Sequence, residues 1–385
     1  MECLERKRDS RIRKKVGINM SKKVDPWGQT NIKNYTQLCA EFGIEEFPKV
    51  IRRLKNPPFW MRRGLIFGHK DFENIVKVIN ERKEFVMVTG LMPSGRFHLG
   101  HKIVADQMIF FQNLGAECFV VAADMESYLT RNIPLEQAKE IAIKEYLMNY
   151  IALGLKPKKT HFYFQTDGKK SYMNLSKFLA KKTTFNEVRA IYGEVSPAKL
   201  VSALTQVADI LHPQLDEFGG PKPTIVPVGA DQLPHINFTR DLAARTKSEF
   251  NFILPSAIFN ILIPGLSGGK MSSSDPTSFI ALTDSPRDIE NKIKKYAFSG
   301  GRETIEAHRK HGGNPNVDIS FQYLKYFFEP DDKKLKKIEE DYRSGRLLTS
   351  ELKAITIEKI NAFLKNHQQQ REKAKDRIND FIYKG

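Results

Sequence analysis

Residues 86–101 read VMVTGLMPSGRFHLGH and continue into the apolar run KIVADQMIFF, which ends at Phe111. This pattern predicts a short buried strand, a turn rich in Gly, Pro and Ser, and then a helix. His98 and His101 flank the predicted start of the helix, with Gly100 between them. A helix N-terminus at the carboxyl end of a strand exposes N–H groups that favour phosphate, and glycine lets a ring or a phosphate approach the backbone. The stretch therefore predicts a phosphate site, although two surface histidines at a helix start would give the same local pattern.

Strands and helices are predicted to alternate from residue 85 to about residue 285. The predicted strands are short apolar runs bounded by turn residues, at 85–89, 118–123, 161–165 and 224–228. A largely helical insertion over 171–220 separates the last two. This alternation is typical of the α/β class, here a Rossmann-like doubly wound parallel sheet with helices on both faces. We therefore predict that residues 85–285 form one domain.

The regions on either side of this domain have different patterns. Residues 1–23 contain nine Lys or Arg against three Asp or Glu and predict a disordered basic arm. Residues 24–84 form an N-terminal segment, in which apolar residues at helical spacing predict a helix over 34–55. Residues 286–385 show helical patterns only, which predicts a C-terminal α-helical domain.

Composition limits the class of protein. The 385 residues carry 62 Lys and Arg against 45 Asp and Glu, and this net charge of +17 favours a polyanionic partner, with a solubility excess as the alternative. No apolar run approaches the ~20 residues that a membrane span requires, and the charged start lacks the apolar region of a secretory signal. The 3 cysteines are too widely spaced for a zinc site or a disulfide framework. We therefore expect a cytoplasmic protein with no membrane partner and no metal site.

A second motif lies far from the first along the chain. Residues 268–276 read GGKMSSSDP. The glycines predict a mobile loop, Lys270 adds a positive point charge, and the hydroxyls of Ser272 and Ser273 can donate to phosphate oxygens. The spacing is not that of a Walker loop, which needs a Gly-rich turn after the first strand. An ordinary polar surface loop is the alternative interpretation.

Together, the two motifs resemble the signature pair of the class I aminoacyl-tRNA synthetases, His-x-Gly-His after the first strand and Lys-Met-Ser-Ser-Ser after the last. Further stretches narrow the resemblance to the tryptophanyl-tRNA synthetases of the archaeal/eukaryotic type. These stretches are 24–27 (VDPW), 62–64 (RRG), 229–232 (GADQ), 270–276 (KMSSSDP), 297–302 (AFSGGR), 312–314 (GGN) and 318–321 (DISF). The resemblance covers residues 24–385.

The resemblance implies that ATP and L-tryptophan form tryptophanyl-adenylate and pyrophosphate, after which tRNA(Trp) accepts the tryptophanyl group. It also implies ATP and Mg²⁺ as a substrate complex, no tightly bound cofactor, a homodimer, and a C-terminal domain that reads the anticodon. The residues implied for catalysis would contact the phosphates: His98, His101, Lys270, Ser272 and Ser273. Those implied for ATP binding are Thr89, Gly90, Pro93, Gly100, Gly229, Asp231 and Met271, with Asp231 on the ribose hydroxyls. Those implied for the amino acid are Glu126, Gln206, Gln232 and Val88.

The choice of amino acid rests on a further set of residues. The tyrosyl-tRNA synthetases, the nearest alternative, typically present a tyrosine four residues before a glutamine and seven before an aspartate. Here Gln206 and Asp209 occupy the last two places, whereas the first is Ser202, whose small side chain suits an indole. Asp209 would recognise a phenol hydroxyl or, equally, fix a neighbouring helix. Val88 and Val121 stand where the eukaryotic tryptophan pattern has tyrosine and glutamine, so these two positions do not identify the indole contact.

Two alternatives from other classes fit part of the chain. A small-molecule nucleotidylyltransferase also uses His-x-Gly-His, but the second motif and the C-terminal helical region are not expected in it. A non-catalytic RNA-binding relative of a synthetase would be expected to lose a signature residue, and both signatures are intact here. In the C-terminal region, side chains that can stack on or bond to bases are conceivable RNA contacts: Arg302, His308, Arg309, His311, Tyr323 and Tyr326.

Overall fold

A single mixed sheet forms the centre of the part of the chain that the structure describes. The structure is a computed structural model and describes residues 35–271 and 275–383. Its strands are β1 (Glu45–Glu46), β2 (Ile66–Lys70), β3 (Val86–Leu91), β4 (Glu117–Ala122), β5 (Thr160–Phe164), β6 (Thr224–Gly229) and β7 (Ser256–Asn260). They lie in the order β1-β2-β7-β6-β3-β4-β5. The strands from β7 to β5 in this order are parallel to their neighbours, whereas β2 is antiparallel to β7 and β1 is antiparallel to β2.

Helices make up most of the rest of the described chain. Up to β7 they are α1 (Tyr35–Phe42), α2 (Phe47–Val50), α3 (Phe59–Arg62), α4 (Phe72–Asn80), α5 (Leu99–Asn113), α6 (Asp124–Arg131), α7 (Leu135–Ile141), α8 (Met148–Leu153), α9 (Lys170–Lys181), α10 (Phe185–Tyr192), α11 (Pro197–Leu211), α12 (Leu233–Arg245) and α13 (Lys247–Phe250). After β7 they are α14 (Pro286–Tyr296), α15 (Ile305–His311), α16 (Ile319–Tyr323), α17 (Asp332–Arg343) and α18 (Thr349–Ala374). Turns of π-helix at Ala142–Leu147 and Leu324–Phe328 follow α7 and α16. Turns of 3₁₀-helix occur at Ile51–Arg53, Gln165–Asp167, His212–Gln214, Asp216–Phe218, Ala230–Gln232 and Lys375–Asp380.

The strand order creates a switch point between β3 and β6. From β3 the chain moves outward to β4 and β5, and it then returns to the other side of β3 as β6 and β7. In open α/β sheets, ligands bind in the crevice outside the carboxyl ends of the strands at such a point. The turn that carries His98 follows β3, and Asp231 follows β6. The topology alone therefore brings these two residues to one crevice.

The Rossmann-like class predicted from the sequence is confirmed, and the four predicted strands agree with β3, β4, β5 and β6 to within two residues at each end. The antiparallel edge was not predicted, because β2 in the N-terminal segment pairs with β7, which lies far along the chain, and β1 pairs with β2. The prediction of one continuous helix over 34–55 is wrong: α1 and β1 are followed by the short helix α2 and a 3₁₀ turn at Ile51–Arg53. Gly43 has a φ of +59°, so α1 ends there and the chain enters β1.

The C-terminal helices pack directly onto the sheet region. Buried side chains from this region belong to the same apolar core as those of β3, β4 and β5. Helix α18 lies against α8, where Nε2 of His367 and Oδ1 of Asn149 are 2.7 Å apart. Further along the chain, the N–H of Phe162 donates to the carbonyl of Phe381 at 3.1 Å, and the N–H of Tyr383 donates to the carbonyl of Phe162 at 2.8 Å. Residues 381–383 therefore cover the outer edge of β5.

The structure does not test two predictions from the sequence, the basic arm and the domain boundaries. The predicted basic arm, residues 1–23, lies outside the described residues, and the domain boundaries at 84 and 285 remain predictions. Within the described ranges, every helix is too short or too polar to cross a lipid bilayer.

Arg63 connects the N-terminal segment to the C-terminal helices. Its side chain is only 8% exposed and ion-pairs with Asp332 at 2.6 Å. The guanidinium also donates to the carbonyls of Lys325 at 2.8 Å, Glu329 at 2.5 Å and Pro330 at 3.2 Å. Lys325 lies in the π-helical turn, and Glu329 and Pro330 directly follow it, so the guanidinium caps carbonyls at the C-terminal end of this turn.

We expect Arg63→Ala to lower the free energy of unfolding by about 2 kcal/mol, because several partly buried acceptors lose a charged donor. Urea unfolding followed by circular dichroism measures the change. The matched control is Arg62→Ala, since Arg62 is 44% exposed and also ion-pairs with Asp332. We expect the control to cost less than about 1 kcal/mol. Equal losses in the two variants would contradict this role for Arg63.

Candidate active site

The turn after β3 places two imidazole rings face to face. His98 is the N-cap of α5, and its Nδ1 accepts the N–H of Gly100 at 3.1 Å. In return, the N–H of His98 donates to Nδ1 of His101 at 3.2 Å. The two rings stack with their centroids 3.8 Å apart. This reciprocal capping fixes both rings at the N-terminus of the helix.

Both imidazoles are neutral in the folded protein at pH 7. Burial lowers the pKa of His98 to about 4, and burial together with the neighbouring His98 ring lowers the pKa of His101. Because each Nδ1 accepts a backbone N–H, the ring proton of each histidine lies on Nε2. Nε2 of His101 lies 3.5 Å from the hydroxyl of Tyr146. Two N–H donors at a helix N-terminus suit the oxygens of a phosphate group.

The protein's own packing leaves no room for a side chain at Gly100. A Cβ at this position would lie 2.9 Å from Cε1 and 3.0 Å from Nδ1 of His98, and 3.4 Å from Sδ of Met271. Met271 belongs to the second motif and is 8% exposed. The two motifs predicted from the sequence therefore meet at Gly100.

Backbone hydrogen bonds join the turn after β3 to the segment that follows the second motif. The N–H of Leu99 donates to the carbonyl of Ile280, and the N–H of Leu282 donates to the carbonyl of Phe97, each at 3.1 Å. These bonds form a short antiparallel bridge between His98 and Ala281. Both motifs are thereby held at the same crevice.

Lys270 faces the residue that follows β6. Its Nζ lies 3.7 Å from Oδ2 of Asp231, and the side chains are 45% and 15% exposed, respectively. A Cβ on Gly229 would lie 2.5 Å from Oδ1 of Asp231, so the glycine lets the carboxylate fold back over the strand end. Ser272 and Ser273 lie outside the described residues. Of the second motif, Lys270 and Met271 are thus placed in the crevice.

The remaining residues predicted to bind ATP lie at the end of β3. Thr89 is buried, and Pro93 is buried with its carbonyl accepting the hydroxyl of Ser127 at 3.3 Å. Gly90 is exposed, and a Cβ built on it would have no atom of the described residues within 4 Å, its chain neighbours aside. The carboxyl end of β3 therefore faces open space at Gly90.

Carboxylate and amide groups meet beyond the ends of β4 and β5. Glu126 is 6% exposed and lies in the first turn of α6. Its Oε1 accepts Nε2–H of Gln206 at 2.5 Å, and its N–H donates to Oε1 of Gln165 at 3.1 Å. Gln232, predicted with them, is half-buried in the 3₁₀ turn after β6, next to Asp231. The structure thus joins Glu126 and Gln206 directly and places Gln232 at the switch point.

Val88 lies in a small apolar cluster on the sheet. It is 1% exposed, and the cluster also contains Val86, Phe119, Val121 and Tyr163. Neither Val88 nor Val121 supplies an acceptor for an indole N–H. Recognition of a polar atom on the substrate ring must therefore come from residues outside these two strand positions.

Asp209, which kept the tyrosyl alternative open, has both carboxylate oxygens occupied. Oδ1 accepts the hydroxyl of Tyr172, and Oδ2 accepts Nε2–H of Gln165 at 2.8 Å. Burial raises the pKa of Asp209 to about 7, although these hydrogen bonds oppose the rise. Two turns earlier on α11, the buried hydroxyl of Ser202 has no hydrogen-bond partner among the described residues.

Sequence reasoning missed three residues of this polar network. Gln165 directly follows β5, and this position at a strand end was a usable signal. Asp124 follows β4 and is fully buried. Its carboxylate accepts two hydrogen bonds from Thr166, one from the backbone N–H at 3.3 Å and one from the hydroxyl at 2.5 Å. Tyr172 lies on α9, inside the helical insertion, where no motif indicates it.

Three of the candidates for RNA contacts are buried inside the C-terminal region. His308, Tyr323 and Tyr326 are at most 5% exposed. His308 and Tyr323 each lie within hydrogen-bond distance of a backbone carbonyl. The interpretation of these three as RNA contacts is therefore wrong, because aromatic side chains at helical spacing here form the core.

Most of the chain matches a known family. The family model described as "tRNA synthetases class I (W and Y)" matches residues 80–365. The chain belongs to that family. The tryptophan–tRNA ligase of Aeropyrum pernix is 46% identical over 359 residues, which cover 92% of this chain and 96% of the relative. That of Hyperthermus butylicus is 45% identical over 365 residues, covering 94% and 98%.

Solved structures of class I synthetases share the fold over the same length. The crystal structure of tryptophanyl-tRNA synthetase from Aeropyrum pernix superposes with a TM-score of 0.88 at 45% identity, covering 94% of this chain and 99% of that one. The Plasmodium falciparum structure superposes with a TM-score of 0.81 at 32% identity, covering 91% and 97%. The resemblance drawn from the two motifs is thus confirmed, and so is the class of enzyme, an aminoacyl-tRNA ligase. The roles of the individual site residues remain predictions.

A separate group of described residues offers ligands of the type that metal ions prefer. Glu45, His69 and Glu73 present one ligand atom each within 4.8 Å of one another. They lie on β1, β2 and α4, at the edge of the sheet, and not at the switch point between β3 and β6. This group is therefore distinct from the synthetase site.

The buried histidines make the stability of this synthetase dependent on pH. Because the pKa of His98 is lower in the folded than in the unfolded chain, the unfolded chain binds more protons below about pH 6.5, and stability falls as the pH falls towards 4. We expect His98→Asn, which keeps an acceptor for Gly100, to reduce the loss of unfolding free energy between pH 7 and 5 by about 1–2 kcal/mol. Urea unfolding of both proteins at the two pH values measures this. Identical losses would show that His98 does not titrate as described.

Proposed function

We propose that this chain is a tryptophan–tRNA ligase, which activates L-tryptophan with ATP and transfers the tryptophanyl group to tRNA(Trp). The observation that carries the proposal is the bridge between His98 and Ala281, which brings both synthetase motifs to one crevice. The identity of 45–46% to two archaeal tryptophan–tRNA ligases supports the choice of amino acid. In the first step the carboxylate of tryptophan attacks the α-phosphorus of ATP and pyrophosphate leaves. In the second, a terminal ribose hydroxyl of tRNA accepts the acyl group and AMP leaves.

The phosphates of ATP would be contacted from two sides. Nε2–H of His98 and of His101 donate from the start of α5, and Lys270 approaches from the loop of the second motif. No covalent bond to the protein is needed, because the work is to hold two anions in line and to stabilise charge on the departing pyrophosphate. Mg²⁺ that arrives with ATP would share this charge. Lys270 lies beside Asp231, so a lysine that contacts the phosphates and a carboxylate that suits the ribose hydroxyls are both present at this site.

The amino acid would lie beyond the ends of β4 and β5. Glu126 is an acceptor for the indole N–H or for the ammonium group of tryptophan. Gln206 fixes the carboxylate of Glu126 through its amide and thereby orients it. Gln232, at the switch point, lies where the amino acid and ATP must meet for reaction.

The partners follow from the same proposal. The net charge of +17 favours the polyanion tRNA(Trp), which Arg302, Arg309 and His311 on the exposed surface of the C-terminal region are able to contact. The family resemblance implies a homodimer. The free, buried thiols of Cys39 and Cys118 favour a reducing compartment, and we therefore expect a cytoplasmic location.

A tyrosyl-tRNA synthetase is the second candidate, because the matching family includes both amino acids and Asp209 is present on α11. Tryptophan- and tyrosine-dependent exchange of pyrophosphate into ATP, measured without tRNA, separates the two. A nucleotidylyltransferase or a non-catalytic RNA-binding relative would give neither activity. Charging of tRNA(Trp) then tests the second step.

We expect Lys270→Ala to lower the rate of tryptophan-dependent pyrophosphate exchange by about 10²–10³-fold, because one donor to the developing charge is lost. The KM for tryptophan should change little, since Lys270 lies at the phosphate end of the site. Lys336→Ala, which removes a side chain that is 77% exposed on α17, is the control and should exchange as the parent does. An unchanged exchange rate in Lys270→Ala would end this assignment.

Gly90→Ala tests whether ATP lies at the end of β3. In the part of the chain that the structure describes, the new methyl group would meet no atom within 4 Å beyond its chain neighbours, so the melting temperature should stay within a few degrees of the parent. If ATP approaches the backbone there, the KM for ATP should rise about tenfold or more while the KM for tryptophan stays the same. Steady-state exchange kinetics measure both constants. An unchanged KM for ATP would show that ATP does not bind next to Gly90.

A further inference from the structure

The carboxylate of Asp209 is closed to a substrate by the protein's own groups. Its two oxygens receive the Tyr172 hydroxyl and the Gln165 amide, and Tyr172 and Asp209 are only 3% and 6% exposed. Burial raises the pKa of Tyr172, so the phenol keeps its proton and remains a donor to the carboxylate. A buried carboxylate that already accepts two good hydrogen bonds gains little from a third donor.

Asp209 is continuous with the proposed amino-acid site. Gln206 and Asp209 are three residues apart on α11 and therefore share one face of the helix. Gln206 donates to Glu126, and Gln165 bonds both to Asp209 and to the backbone of Glu126. Without the Tyr172 hydroxyl, Asp209 would therefore be a strong acceptor on the wall of this site.

The position of the Tyr172 ring is fixed by its surroundings. A Cβ on Gly168 would lie 2.1 Å from Cδ1 of Tyr172, so the ring rests directly on the backbone at this glycine. On another side, the ring of Tyr163 has its centroid 6.2 Å away in an edge-on arrangement. The phenol of Tyr172 thus has little freedom to turn away from Asp209.

We propose that Tyr172 determines amino-acid specificity by occupying, with its own phenol, the Asp209 carboxylate that would otherwise accept the hydroxyl of a substrate tyrosine. The inference rests on the proposed function and deepens it. Tryptophan loses nothing by this arrangement, because its indole carries one N–H donor and no hydroxyl. Tyrosine would have to bury its hydroxyl without a strong acceptor, which lowers kcat/KM for tyrosine by about 10–100-fold.

The experiment compares the full-length parent with Tyr172→Phe in pyrophosphate exchange at pH 8, which is above the pKa of about 7 that burial gives Asp209 in the parent. Exchange is measured with tryptophan, tyrosine and phenylalanine. We expect the ratio of kcat/KM for tyrosine to that for tryptophan to rise at least tenfold, with no comparable rise for phenylalanine. Only recognition of a hydroxyl separates tyrosine from phenylalanine, so a general loosening of the site would raise both.

Two further variants test whether the effect runs through Asp209. The double variant Tyr172→Phe/Asp209→Asn should lose most of the gain for tyrosine, because the amide is a weaker acceptor than the carboxylate. Tyr163→Phe is the matched control: its hydroxyl, equally buried, lies 2.5 Å from Nε2 of His212 and does not bond to Asp209. This control should leave the tyrosine-to-tryptophan ratio at the parent value.

The outcomes are distinguishable. A parent protein with no tryptophan-dependent exchange would overturn the proposed function itself. A parent that exchanges with tryptophan, together with an unchanged ratio in Tyr172→Phe, would overturn the inference about Tyr172. If Tyr172→Phe is poorly folded, the parent alone tests the inference, because tyrosine, whose hydroxyl lacks a strong acceptor, should then be used no better than phenylalanine; a clear preference for tyrosine over phenylalanine in the parent would overturn the inference. An equal rise for tyrosine and phenylalanine would also overturn the inference.

Discussion

Two backbone hydrogen bonds on either side of His98 are the constraint on which the site depends. They join Phe97 and Leu99 to the segment 280–282, and so connect the first βα turn to a loop that lies far away in sequence. Without them, the reciprocally capped histidines at the N-terminus of α5 would not be held beside the second motif. With them, Met271 packs against Gly100, and Lys270 is held within reach of Asp231. Main-chain hydrogen bonds thus hold the two motifs at one crevice.

The C-terminal helices take part in this assembly. The amide of Gln368 on α18 donates to the carbonyls of Leu282 at 3.2 Å and Asp284 at 3.0 Å, which directly follow the bridge. Asp284 is 2% exposed and ion-pairs with Arg96 at 3.0 Å and Lys292 at 2.7 Å. A region that the sequence predicts to be a separate RNA-binding domain therefore also supports the catalytic crevice. Its helices share a continuous apolar core with the sheet.

The limits of sequence-based prediction follow from the range of the interactions involved. The strand, turn and helix around His98 were predictable because residue order alone sets their pattern, and strand order then placed Asp231 beside them. The strand β2 depends on pairing with β7, almost two hundred residues away, which no local pattern encodes, and β1 in turn pairs with β2. The contact between Tyr172 and Asp209 spans 37 residues of a helical insertion, so only the structure shows that Asp209 is occupied. Tyr323 and Tyr326 were predicted as RNA contacts but are buried, because the spacing of aromatic residues does not distinguish a core from a binding surface.

The cover on β5 has a consequence for how this protein associates. An open sheet edge presents a row of unsatisfied backbone donors and acceptors, onto which another chain can add as a strand. Residues 381–383 occupy this position at β5, and their backbone hydrogen bonds with Phe162 take up groups that would otherwise recruit a second sheet. Self-association through continuation of the sheet is therefore blocked on this side. The backbone N–H and carbonyl of Phe162 are therefore not available to a strand of a second copy.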